Sequence, residues 1–150
     1  MQASVRSRNA SDSDRAFAWS LYADSIRELV EPLIQEERGV PWSEEEEARR
    51  FEEIWEPQNT QIFELEDRPI GWIAVKRESG YAFLENFFIA PEVRGRGLGT
   101  AALAWLKEQI GDATIRAHLL PNSRARSFYE RAGFVLERED KHQVTLVAEP

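Results

Sequence analysis

Residues 60–89 read as three short strand-forming stretches, 60–66, 70–76 and 81–89, broken at Asp67-Arg68-Pro69 and Glu78-Ser79-Gly80. Breaks this tight predict an antiparallel meander, because so few residues can join only antiparallel neighbours. In the third stretch strand alternation puts Tyr81, Phe83, Glu85, Phe87 and Ile89 on one face. Ahead of the meander, 3–8 reads as an edge strand. A helix is expected over 13–30, capped by Ser11 or Asp12, with Phe17, Leu21, Ile26, Leu29 and Val30 as its apolar stripe, and ending at Glu31-Pro32. A second helix is expected over 44–55, capped by Ser43, with Glu44 to Glu47 near its positive end and Phe51, Ile54 and Trp55 buried. After the meander Leu98, Ala102, Leu106 and Ile110 recur every fourth residue, the spacing of one helix face. A strand at 114–119 follows, parallel to 81–89 because its connection is long. A helix opening at Asn122 and closed by Gly133, then an antiparallel pair at 134–138 and 143–147, complete the chain. The expectation is one α/β domain: a mixed, mostly antiparallel sheet of six to seven strands flanked by about four helices.

Composition narrows what such a domain does. With 150 residues, 42% hydrophobic and 31% charged, the chain suits a single globular domain. No apolar run approaches the ~18 residues of a membrane span and no secretory leader is apparent, so a cytoplasmic protein is expected. The absence of cysteine removes disulfides, thiolate metal sites and a cysteine-linked acyl-enzyme. His118 and His142 lack ligand spacing, so no metal is expected. A net charge of −8 argues against general nucleic-acid binding. The charge is uneven: residues 92–131 hold seven Lys/Arg against four Asp/Glu, a local +3 that leaves −11 elsewhere. A basic island in an acidic chain fits a small polyanion.

The centre of that island is Arg94-Gly95-Arg96-Gly97-Leu98-Gly99-Thr100, a glycine-rich basic turn between a strand ending at Pro91 and a helix. The first N–H groups of a helix have no partner within it and sit at the positive end of its dipole, so an anion fits there. The three glycines remove Cβ atoms that would hold a ligand off the backbone, while Arg94 and Arg96 add charge-assisted hydrogen bonds to phosphate. The lysine of a Walker loop is missing, and Thr100 stands where G-x-G-x-x-G requires glycine.

The pattern Arg-x-x-Gly-x-Gly at 94–99 resembles the acyl-CoA loop of the GNAT superfamily of N-acetyltransferases. The resemblance continues in Asn122-Ser123-Arg124-Ala125-Arg126-Ser127-Phe128-Tyr129-Glu130-Arg131-Ala132-Gly133-Phe134, and covers about 60–134. It implies a GNAT-like fold and transfer of an acetyl group from acetyl-CoA to a primary amine. It further implies that 81–89 splays from its parallel neighbour at a bulge, where Phe88 and Ile89 would hydrogen-bond the pantetheine arm and the Ile89 N–H would steady the thioester oxygen. Residues 94–100 would hold the diphosphate. Asn122, otherwise a helix cap, would touch the CoA arm, and Tyr129 would protonate the departing thiolate.

For the proton leaving the amine, Glu85 is the first candidate, since a carboxylate among aromatic rings has a raised pKa; His118 on the neighbouring strand is its rival. The acceptor would lie between the opening helices and the sheet. Residues 31–56 carry ten acids and three arginines, which favours a small cationic amine; the same acids also fit a solvated helix start. Acetylation of a protein N-terminus or lysine, and a non-catalytic acyl-CoA sensor, are the competing readings. A homodimer is compatible with all three.

Overall fold

The structure is a computed structural model and describes residues 5–35, 42–121, 123 and 125–150. β1 (Val5–Asn9) leads through a turn of 3-10 helix (Asp12–Asp14) into α1 (Arg15–Gln35), followed by α2 (Glu44–Ile54). Then come β2 (Thr60–Leu65), β3 (Arg68–Glu78), β4 (Tyr81–Ile89), α3 (Leu98–Ile110), β5 (Thr114–Leu119), α4 (Ala125–Arg131), β6 (Val135–Glu139) and β7 (Val144–Ala148). The strands form one sheet in the order β1-β2-β3-β4-β5-β7-β6. Only β4 and β5 pair in parallel, as the long connection through α3 demands.

The helices pack on both faces. Trp72 of β3 and Phe88 of β4 meet Tyr22 of α1 and Phe51 of α2, with ring centroids 5.1 to 6.3 Å apart. On the other face Phe63 of β2 meets Trp105 of α3, and Phe87 of β4 meets Phe128 of α4. Adjacent residues of one strand thus anchor opposite helix layers. Trp72, Phe51, Phe63, Ile73, Leu103 and Leu146 are fully buried at the centre, each contributing roughly 1.5–3 kcal/mol by leaving water.

Several boundaries differ from expectation, two of them with a clear physical reason. α1 runs through Pro32 rather than stopping before it. The proline leaves the Glu28 carbonyl without its helical donor, but Glu28, Glu31 and Pro32 are all exposed, where water replaces the lost bond. The first hairpin turns at Glu66-Asp67, both with positive φ (52° and 63°), so Arg68 and Pro69 belong to β3. Pro69 sits beside a register shift between β2 and β3, a position that spares the ladder an N–H it cannot donate. Ser43 caps α2 as expected, accepting from the Glu46 N–H at 3.3 Å.

Candidate active site: a forked sheet with two unlike faces

The centre of the site is the place where β4 leaves β5. The strands pair from Tyr81↔Thr114 to Leu84↔Ala117 and no further. Pairing between β3 and β4 slips at the same level, from Val75↔Leu84 to Ala74↔Asn86. Glu85 is therefore the extra residue of a bulge, opposite no residue of β3. A bulge turns its strand and leaves backbone groups unpaired. Beyond it β4 continues to Ile89 on β3 alone, while β5 continues through His118 and Leu119 on β7. The result is a cleft with one bare strand edge.

Alternation decides which groups face that cleft. The Ala90 N–H donates to the Ile70 carbonyl of β3 at 2.7 Å, so Phe88, two residues back, also turns its N–H and C=O toward β3. Phe87 and Ile89 present theirs to the cleft. Of the two residues expected to offer backbone bonds, Ile89 is so oriented and Phe88 is not; Phe88 instead contributes its ring to the α1/α2 side. Gly71 makes this arrangement possible. A Cβ there would stand 2.6 Å from the Phe88 carbonyl oxygen and 2.8 Å from Ile89 Cδ1. No motif marked Gly71, although glycine inside a strand signals such close approach.

At the exit of β4 the chain makes a short 3-10 turn (Pro91–Val93) and enters the glycine loop. Gly95 and Gly97 have φ of 81° and 78°, with open space around them. Glycine is needed at these two for the left-handed backbone rather than for room. Gly97 is the N-cap of α3, and its carbonyl accepts from the Ala101 N–H at 3.0 Å. The N–H groups of Leu98, Gly99 and Thr100 form the free first turn. Gly99 has another purpose: a Cβ there would meet the Phe128 ring at 3.1 Å, so it lets α4 close onto α3. Leu98 is buried in the core, while Thr100, Arg94 and Arg96 are exposed. The Arg94 guanidinium lies 3.2 Å from Glu28 of α1.

Tyr129 lies in α4, on the face that carries α3. It is 5% exposed, packed against Phe128 and Phe134, and burial pushes its phenol well above the usual 10. It is therefore a protonated donor throughout the neutral range. Asn122 lies outside the described residues. α4 begins at Ala125, with Ser123 Oγ accepting from the Ala125 N–H at 3.1 Å.

The opposite face of the fork is different in kind. The bulge splits the alternation expected for β4. Tyr81 and Phe83 pair with Glu78 and Lys76, on the Trp72 side of β3, whereas Phe87 and Ile89 pair with Ile73 and Gly71 on the other. Glu85 is exposed, not set among aromatic rings as the unbroken pattern suggested. Through the register, Arg116 and His118 of β5, Thr145 of β7 and Arg138 of β6 share the face of Phe83. There, clear of α1 and α2, they line a concavity of about 320 Å³ with Tyr81 and Gln143.

His118 is the first β5 residue past the last rung to β4, so it and Glu85 flank the apex of the fork. Its ring meets Phe83 edge-on at 4.5 Å and its Nδ1 is 2.8 Å from Gln143 Nε2. Partial burial, helped by the Arg116 charge, lowers its pKa below 6.5; it is neutral at pH 7. Two of the six acids of α2 are engaged and the other four are exposed. Glu47 is buried, accepting from the Tyr22 hydroxyl at 2.8 Å and from Arg50 at 2.7 Å, and Glu52 pairs with Arg15.

The structure thus places a glycine loop and a helix N-terminus beside a mixed sheet forked between parallel strands. Residues 26–134 match the model of the Acetyltransferase (GNAT) family. The chain belongs to that family and is an acetyltransferase with acetyl-CoA as acyl donor. No curated protein sequence matches it. Solved structures share its fold at low identity. The PaiA N-acetyltransferase of Thermoplasma acidophilum, crystallised with coenzyme A, superposes with a TM-score of 0.70 at 20% identity, over 98% of this chain and 99% of that one. An acetyltransferase of Thermus thermophilus gives 0.74 at 18%, over 98% and 97%. N-acetylglutamate synthase of Neisseria gonorrhoeae, complexed with coenzyme A and N-acetyl-glutamate, gives 0.66 at 18%, over 99% of this chain but 36% of that one.

Proposed function

We propose that the protein acetylates a primary amine of a small molecule by direct attack, with acetyl-CoA in the fork and the amine arriving from the open face of β5 and β7. The observation that carries this is the asymmetry of the fork. The diphosphate-binding helix end and Tyr129 stand on one face, while a concavity reaches the fork apex on the other.

The residues present fit acetyl-CoA. The free first turn of α3, with Gly95, Arg96 and Thr100 beside it, suits the diphosphate, and the bare β4 edge suits an amide-bearing arm. When bound, acetyl-CoA supplies an acetyl group activated as a thioester. The Ile89 N–H faces the gap and serves the carbonyl oxygen as it gains charge. Glu85 takes the proton of the attacking nitrogen, directly or through water. Tyr129 gives its hydroxyl proton to the departing sulfur, so that amide formation and C–S cleavage leave neutral products. Asn122 keeps its expected role beside the CoA arm. A second reading of the base, His118, is favoured by its place at the apex on the open face and its neutral imidazole.

The preference for a cationic acceptor now rests on less, since Glu47 is buried against Tyr22, Glu52 pairs with Arg15, and the other acids of α2 are exposed. The test is mass spectrometry after incubation with acetyl-CoA and an amine panel. Acetylated small amines are expected. Acetyl-CoA binding without product across the panel, or product only on protein N-termini or lysines, would overturn the reading.

A further inference from the structure

The open-face concavity carries a guanidinium, that of Arg138, which no acid among the described residues pairs with. Three acids stand on β6 or in the turn after it, and each is engaged. Glu137 lies 3.2 Å from Arg116, and Glu139 lies 3.3 Å from Arg126 on the other face. Asp140 Oδ1 accepts from the backbone N–H groups of His142 and Gln143 at 2.8 and 2.9 Å. Arg138, on the cavity face opposite Thr145, makes no ion pair among the described residues. Arg116 is held over the Tyr81 ring, 5.3 Å from its centroid, and its buried Nε has no hydrogen-bond partner among the described residues. The Arg138 guanidinium, which acts on Asp140 only through its charge, and the Thr145 hydroxyl therefore line a space with an aromatic floor of Tyr81 and Phe83.

An unpaired guanidinium calls for an acceptor-rich guest, and a planar carboxylate answers it fork by fork. Strand geometry also sets where the guest must reach. Adjacent strands lie about 4.8 Å apart, so β6, two strands from β5, is about 10 Å away. A group bound at Arg138 is separated from the fork by several bonds.

We propose that the concavity binds a carboxylate of the acceptor through Arg138, so that the substrate is an amino acid whose reacting amine and anionic group stand several bonds apart. This rests on the acceptor entering from the open face.

The test compares ω-amino acids of increasing length with alkylamines of matched length, and reads both acetylation and direct binding by calorimetry in the presence of CoA. A charge-assisted hydrogen bond contributes about 1.5–3 kcal/mol, a factor of roughly 10–100 in affinity. The expected result is that 6-aminohexanoate exceeds hexylamine by about tenfold or more in kcat/KM and in affinity, that glycine shows no such gain over ethylamine, and that R138Q brings the 6-aminohexanoate to hexylamine ratio to about one. Equal use of the matched pair, or a ratio that R138Q leaves intact, overturns the proposal while leaving the amine acetyltransferase reading standing. Arg138-dependent binding of 6-aminohexanoate with no acetylation of any amine would keep the carboxylate site and sink the acceptor reading instead.

Discussion

The two faces of the fork are built from different materials. On the α3/α4 face the groups suited to an anion are backbone: the free N–H groups of Leu98 to Thr100, reached through left-handed Gly95 and Gly97. On the open face the polar groups are side chains, gathered mainly from β4, β5, β6 and β7. A backbone site needs one short segment in one conformation and suits a ligand that never changes. A side-chain site assembled across strands can be altered one residue at a time without disturbing the sheet.

Substitutions on the backbone side are expected to have the largest effects. Gly97→Val forces a β-branched residue into left-handed φ, a strain of roughly 1–2 kcal/mol, and displaces the first turn of α3. Acetyl-CoA should then no longer protect the protein against heating; retained protection would remove the loop from the donor site. Gly71→Val drives a side chain into the Phe88 carbonyl. The overpacking should cost about 1–3 kcal/mol, read as a lower denaturation midpoint, and acetyl-CoA should bind less tightly because the bare edge of β4 shifts. Unchanged binding would mean that this edge does not hold the donor.

Between the faces lies proton transfer. Tyr129→Phe removes one oxygen from an otherwise unaltered pocket and should lower kcat by about 10²–10⁴-fold with little change in the KM for acetyl-CoA; wild-type turnover would end its role as acid. The base is separable by pH. A base works deprotonated, so activity climbs with pH through its pKa, and Glu85→Gln should abolish that acid limb if Glu85 acts. A limb below pH 6.5 that survives in Glu85→Gln and disappears in His118→Asn would transfer the role to His118, whose imidazole is held below its ordinary value. The smallest effect belongs to the open face. Glu137→Gln breaks an exposed ion pair with Arg116 and should change stability by no more than about 0–1 kcal/mol, measured as a shift in the unfolding midpoint.

Much of the donor half was legible in the residues. Strand 81–89, the helix face Leu98 to Ile110, strand 114–119 and its parallel direction all stand in the structure as the pattern predicts. The failures cluster where one residue interrupts a period. A bulge at Glu85 is invisible to alternation, since it changes no residue type and shifts only which partner each side chain opposes. It reversed the faces of Tyr81 and Phe83 relative to Phe87 and Ile89, and brought Glu85 into solvent. Gly99, similar in sequence to Gly97, proved to serve helix packing against Phe128.

What the sequence determined by itself was local: helix and strand periods, the glycine positions that permit positive φ, and a helix start that attracts anions. These follow from the chain's own backbone and neighbours a few residues away. Only the tertiary structure decided the rest. The fork exists because β7 inserts between β5 and β6 and holds β5 while β4 stays with β3. The open-face concavity exists because residues 81–83, 116–118 and 137–145 share one sheet face. Pairing across the sheet, fixed by burial of the whole core, set both.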